Sequence, residues 1–194
     1  MKHALREYDY ICFFNANTKV VRDIHAEDLI DPDLPFTSAV HMEMAYMDIE
    51  GKRDWLVKNY WSDEPESPAY IGLDDLVHSY GGWLMGGFQM GRSKEFIDMC
   101  ETLKTWIDFD RDAGRKLRWH DEAYFNRYAI DHGVKRLTPE FLYPEGYDIP
   151  AKENPAIVII DKNSVIGRLD YRDHARKQYS LLERCIQLMQ KRRE

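Results

Sequence analysis

The chain has 194 residues, 44% of them hydrophobic and 31% charged, which suffices for one domain with a substantial core and is ordinary globular composition. A formal net charge of −7 excludes general nucleic-acid binding, where a basic surface supplies most of the affinity. No apolar run approaches the roughly 20 residues that span a bilayer, Met1–Glu7 holds no apolar signal core, and Cys12, Cys100 and Cys185 are too scattered for a disulfide framework or a zinc knuckle. The expectation is a soluble, cytoplasmic protein with reduced thiols.

In chain order, Tyr8–Phe14 is a dense apolar run that reads as a buried strand, delivering Asn15-Ala16-Asn17 at its carboxyl end. Ligands of open α/β sheets sit outside such strand ends. Ala26–Pro35 is acidic and proline-bearing and reads as a loop, Phe36–Met42 as a second strand, and Ser62–Pro68 as a loop. Gly81-Gly82 and Gly86-Gly87 bracket Trp83-Leu84-Met85; paired glycines allow close backbone approach, in a turn or to a ligand. Ser93 reads as the N-cap of an amphipathic helix carrying Phe96, Met99, Cys100, Leu103 and Trp106 on one face. His120–His132 reads as a helix stopped by Gly133, and Ile157–Ile160 as a short buried strand. From about Asp170 the tail places Leu181, Leu182, Cys185, Ile186 and Met189 on one helical face. Alternating strands and helices make the class α/β or α+β.

Charge is unevenly placed. Residues 23–75 carry 14 Asp and Glu against 3 Lys and Arg, whereas residues 162–194 carry 9 Lys and Arg against 4 Asp and Glu. A basic tail on an acidic protein is either a solvated helix face or a holder for an anion such as a diphosphate.

The sharpest polar cluster is Trp119-His120-Asp121-Glu122, at a predicted helix start where acidic residues also serve as ordinary caps. His120-x-Glu122 matches half of a zinc deaminase signature, but the P-C-x-x-C half is absent. The H-E-x-x-H metalloprotease helix, the phosphate-binding-loop lysine motif and the G-x-G-x-x-G dinucleotide motif are absent too. Asn15-Ala16-Asn17 taken alone is a turn, since Asn is a common turn residue; at a strand end its amides can also hydrogen-bond a sugar or phosphate.

Taken together, the strand ending in Phe13-Phe14-Asn15-Ala16-Asn17, the long middle, and Trp119-His120-Asp121-Glu122 followed by Asn126 and Tyr128 resemble glycosyltransferase family six, which contains the blood-group A and B transferases and the α-1,3-galactosyltransferase. The resemblance is closest to bacterial, metal-independent members, in which Asn-x-Asn replaces the metal-binding Asp-x-Asp. Leu5–Tyr10, Ala39-Val40-His41, Pro68–Ile71, Phe141–Tyr147 and Asp161-Lys162-Asn163 agree with it in order along the chain.

The resemblance implies an α/β fold of the GT-A, Rossmann-like type, as a single catalytic domain over residues 1–194 with a basic tail from about 162. Few residues precede the Asn-x-Asn strand, so the N-terminal part of the nucleotide-binding subdomain is expected to be missing. The implied reaction is transfer of a hexose or N-acetylhexosamine, galactose or N-acetylgalactosamine within the family, from a UDP-sugar to an oligosaccharide acceptor in α-1,3 linkage. Configuration is retained, and neither cofactor nor divalent metal takes part. By resemblance Glu122 faces the reacting carbon. Asn15, Asn17, Gly81, Gly82, Trp83, Asp121, Lys162, Arg168 and Arg172 bind the donor, and His41, Trp119 and His120 the acceptor. Trp83 stands where blood-group enzymes carry small sugar-selecting residues, so the indole is expected to narrow the donor pocket. A second function class stays open: a non-catalytic remnant that binds glycan or a protein partner.

Overall fold

The computed structural model describes residues 5–59, 64–79, 81–115 and 120–161. Residues 1–159 form one unit and 160–194 a second. The sequence readings for Trp119, Lys162, Arg168, Arg172 and the tail helix lie outside the described residues.

The opening apolar run forms β1 (Tyr10–Phe14), followed by β2 (Thr18–Val20). The segment read as an acidic loop contains one turn of helix, α1 (Ala26–Leu29), closed by Asp28, whose carboxylate accepts the His25 N–H at 2.9 Å. Then come β3 (Phe36–Val40), α2 (Ile49–Asn59), β4 (Leu84–Arg92), α3 (Ser93–Asp112), α4 (His120–His132), β5 (Lys135–Leu137), β6 (Tyr143–Pro144) and β7 (Ile157–Ile159). One sheet has the order β1-β4-β3-β5 and the other β2-β7-β6. β4 runs antiparallel to both neighbours, while β3 and β5 are parallel. The carboxyl ends of β1, β3 and β5 and the amino end of β4 therefore share one edge.

Placement at the end of its sheet corrects the reading of β1 as buried. Phe14 stacks on Phe88 at 4.9 Å and Ile11 packs against the other core cluster, but Phe13 is 45% exposed, and no residue of this edge strand is fully buried. Ser93 is the first residue of α3 rather than its cap, and Cys100, expected on the apolar face, is exposed. Phe96, Met99 and Leu103 do face the core. With Leu84, Leu56, Phe125 and Tyr128 they form one apolar cluster; Met85, Phe88, Leu137, Leu142 and Ile157 belong to a second. Leu84 and Met85, adjacent in β4, thus serve different cores, as alternating strand side chains do. The helix α2 carries little apolar periodicity and starts on Asp48, whose side chain accepts the Gly51 N–H at 2.6 Å.

A buried carboxylate ties α3, α4 and the 64–71 loop together. Asp110 accepts from Ser67 Oγ at 2.5 Å, Tyr124 O–H at 2.8 Å and Arg115 Nε at 2.7 Å. Burial alone would raise its pKa, but these donors outweigh burial and hold it below the usual carboxylate value. A depressed folded-state pKa gives stability that is present above about pH 3.9 and lost as pH falls through the folded value. Asp110→Asn should therefore cost about 2–3 kcal/mol at pH 7. In urea unfolding at a series of pH values, the gap to the parent protein should narrow below about pH 3.9; a gap constant down to pH 2.5 would contradict this account.

Candidate functional site

At the shared strand edge the β3–β4 ladder slips. Val40 pairs with Leu84 and Ser38 with Gln89, so four residues of β4, Met85 to Phe88, lie opposite Ala39. Such a bulge removes ladder partners from the backbone, and buried backbone groups must find others. Side chains supply them. Asn126, fully buried, accepts the Leu84 N–H at 2.8 Å and donates to the Leu84 carbonyl at 3.0 Å and to the Glu122 carbonyl at 2.9 Å. Glu122 accepts the Gly86 N–H at 2.6 Å on one oxygen and the Trp83 indole N–H on the other. Ser38 Oγ donates to the Phe88 carbonyl at 2.8 Å.

Both bonding residues of α4 lie one helical turn apart, so a single face of the helix meets the bulge. Glycine at position 86 is what lets it approach: a Cβ there would sit 3.0 Å from Glu122 Oε2 and 3.3 Å from Glu122 Cβ. At Gly87 a Cβ would lie 3.0 Å from Asn15 Nδ2 and 3.2 Å from Leu142 Cδ2. Asn15 and Glu122 thus close on the same glycine pair. Asn15 also donates its backbone N–H to Gly87 at 3.0 Å and opens a tight turn, its carbonyl accepting the Thr18 N–H at 3.0 Å. The turn reading of Asn15-Ala16-Asn17 and its position at the strand edge therefore both hold.

The electrostatics single out Glu122. Burial pushes its carboxyl up; the Gly86 and Trp83 donors pull it down, and the neighbouring Asp121 charge pushes it up again. The net effect is upward, the setting in which carboxylates of functional sites are commonly found. Asp121, next along the helix, lines an open cleft with His120, Ile107 and Tyr124. His120 starts α4 with φ at +45°, a left-handed conformation that costs a non-glycine residue about 1–2 kcal/mol.

The other expected residues sit along the same edge. Gly81 and Gly82 have φ of +76° and +117°, which accounts for glycine at both. Trp83 is 3% exposed, and its carbonyl accepts the His41 N–H at 2.8 Å. Burial lowers the pKa of His41 to about 4, so its imidazole is neutral at pH 7. Its ring packs on Trp55 at 4.6 Å, and Nδ1 accepts the Glu43 N–H at 3.4 Å; the Trp55 indole in turn donates to Glu43. Arg136, in the middle of β5, donates to the Gly82 carbonyl at 3.1 and 3.2 Å. Trp55, Glu43 and Arg136 were not foreseen, since none lies in a local pattern; their proximity comes from strand pairing and from the helix α2. Among the described residues no three His, Cys, Asp or Glu side chains converge as a metal site requires, and no helix is long and apolar enough to cross a membrane.

The architecture is mixed α/β, with a polar constellation at the strand ends. Over 159 residues the chain is 24% identical to the O-antigen biosynthesis glycosyltransferase WbnI of Escherichia coli, an alignment covering 81% of this chain and 61% of that protein. Over 82 residues it is 29% identical to histo-blood group ABO system transferase 1 of Rattus norvegicus and 30% identical to transferase 2, each covering 42% of this chain and 22% and 23% of the relative. The aligned part thus spans about three fifths of the bacterial relative and under a quarter of the rat ones. No protein-family model matches the chain. The chain is similar to the blood-group transferases and their bacterial relative, and its fold is GT-A-like in class.

The contact at Gly86 gives a direct test of the site's packing. Gly86→Val should push the Glu122 carboxylate out of its bonds and destabilise the protein by about 1–3 kcal/mol, as overpacking does. Urea unfolding checks this; a change below 0.5 kcal/mol, on the scale of a neutral surface substitution, would show that α4 does not press on the glycine.

Proposed function

We propose that this chain is a glycosyltransferase that moves a hexose or N-acetylhexosamine from a UDP-sugar to an oligosaccharide acceptor, retaining anomeric configuration and using no metal ion. The observation that carries the reading is Glu122, a half-buried carboxylate of raised pKa held at the strand edge where Asn15, His41 and the Gly81–Gly87 segment meet. Similarity to WbnI and to the ABO transferases supplies the reaction class.

In this reading, the bond between the anomeric carbon and the diphosphate oxygen breaks, its electron pair leaving with UDP. Positive charge develops on the carbon, and Glu122 either stabilises it or bonds to it; the acceptor oxygen then bonds to that carbon, displacing Glu122 where it had bonded, and the hydroxyl proton goes to the departing diphosphate. The two N–H donors take two of about four lone-pair positions of the carboxylate, which leaves it acceptor capacity toward the sugar. Asn15 and Asn17 offer neutral amides, poor ligands for a hard cation, so side-chain cations must meet the diphosphate charge. Lys162 with Arg168, Arg172 or Arg176 is the proposed source. Asp121 is assigned to donor sugar hydroxyls, and His41, Trp119 and His120 to the acceptor.

Glu122→Gln should lower kcat for UDP-sugar turnover at least about 100-fold, the scale of removing one electrostatic stabiliser, while UDP affinity stays within about twofold. The parent rate should survive EDTA. Near-normal turnover in Glu122→Gln removes the residue from the mechanism; loss of rate in EDTA that Mn²⁺ restores overturns the metal-independent part. Glycan binding with no turnover of any UDP-sugar would favour the non-catalytic reading.

A further inference from the structure

We propose that Trp83 is a positioning residue for Glu122: its indole N–H, together with the Gly86 N–H, holds the carboxylate in one orientation at the start of α4. The inference rests on the proposed role of Glu122, and it assigns the indole a task other than shaping a sugar pocket.

Three observations carry it. Trp83 is 3% exposed, so its ring is packed inside rather than presented to a ligand. Its indole nitrogen is a donor only, and that donor is directed at Glu122 Oε1. The partner bond, Gly86 N–H to Oε2, comes three residues on, in β4, whose first residue follows Trp83 directly, so both oxygens are gripped by one short segment. A carboxylate gripped at both oxygens cannot rotate about its last torsion. Asn126 fixes the helix turn beneath it through Leu84. The backbone carbonyl of Trp83 meanwhile accepts the His41 N–H, so one residue ties the β3 edge to the carboxylate.

Among the described residues the charge acting on Glu122 is that of Asp121 on the same helix; Gly86 in β4 and Trp83 just before it do not titrate, and Asn15, just after β1, is neutral. A donor to the charged form favours ionisation, so its removal must make Glu122 harder to ionise. Phenylalanine fills most of the indole volume and carries no donor, which separates packing from the hydrogen bond.

The test reads the pair directly. In ¹H–¹⁵N spectra of the parent protein, the Trp83 indole resonance should shift with pH along the Glu122 titration, and in Glu122→Gln that pH response should vanish. In Trp83→Phe, the ¹³C carboxyl titration of Glu122 should move up by about one pH unit, a tenfold change in proton affinity. UDP-sugar turnover by that variant should lose about 10-fold in kcat, the scale of removing an outer-shell partner, with KM within about threefold. An indole resonance that ignores Glu122, or a Glu122 titration unchanged in a folded Trp83→Phe protein, overturns the proposal. The indole measurement needs no Trp83 variant, so a variant that fails to fold leaves the test intact. Absence of turnover in the parent protein would sink the proposed activity alone, because the resonances still decide the pairing.

Discussion

The slip between β3 and β4 governs this edge of the molecule. A regular ladder would satisfy Leu84 through Phe88 with backbone partners and leave α4 free to pack by apolar contact. With four residues of β4 set against Ala39, the strand instead presents backbone groups several of which are met by side chains. Asn126 and Glu122 answer from one helix and Ser38 from the adjoining strand. Leaving a buried amide without a partner costs about 1–3 kcal/mol, so the helix is fixed in rotation and in height along the strand. Placing Glu122 at the strand edge is a consequence of that repair. Structure and proposed chemistry meet in the same hydrogen bonds.

That dual use has an electrostatic cost. A carboxylate serving only as a structural acceptor would sit best with more donors or nearer solvent. Here burial outweighs two donors, and the pKa rises. The sign is opposite at Asp110, where three side-chain donors outweigh burial and the pKa falls. The two acids therefore pull stability in opposite directions with pH. Asp110 adds stability as pH rises toward about 3.9, whereas Glu122 withdraws it as pH climbs from the ordinary carboxylate range through its own raised value. Asp110 behaves as a purely structural carboxylate, and Glu122 as one kept under tension at a site.

Much of this was legible in the residues. Periodicity and a terminal glycine placed the helix at His120–His132 and its stop at Gly133, and paired glycines marked the segment that adopts positive φ. The cluster around Glu122 stood out because two acids, an imidazole and an indole adjoin in sequence. What stayed hidden was non-local. The helix α2 has too few apolar residues for a period to show, and Asp48 begins it through a single side-chain bond. The links from His41 to Trp55 and Glu43, and from Arg136 to Gly82, exist only because strands and helices fold together. Trp83 read as a wall of a donor pocket because of the place the family resemblance gives it; its indole N–H partner lies 39 residues away.

The most direct measurement is a crystal structure of the full chain with a non-transferable UDP-sugar analogue, grown in EDTA. The account predicts the anomeric carbon about 3–3.5 Å from the Glu122 carboxylate, the separation of a near-attack arrangement, with the carboxylate still bonded to Gly86 and Trp83. A sugar bound away from that edge, with Glu122 sealed between α4 and β4, would contradict it.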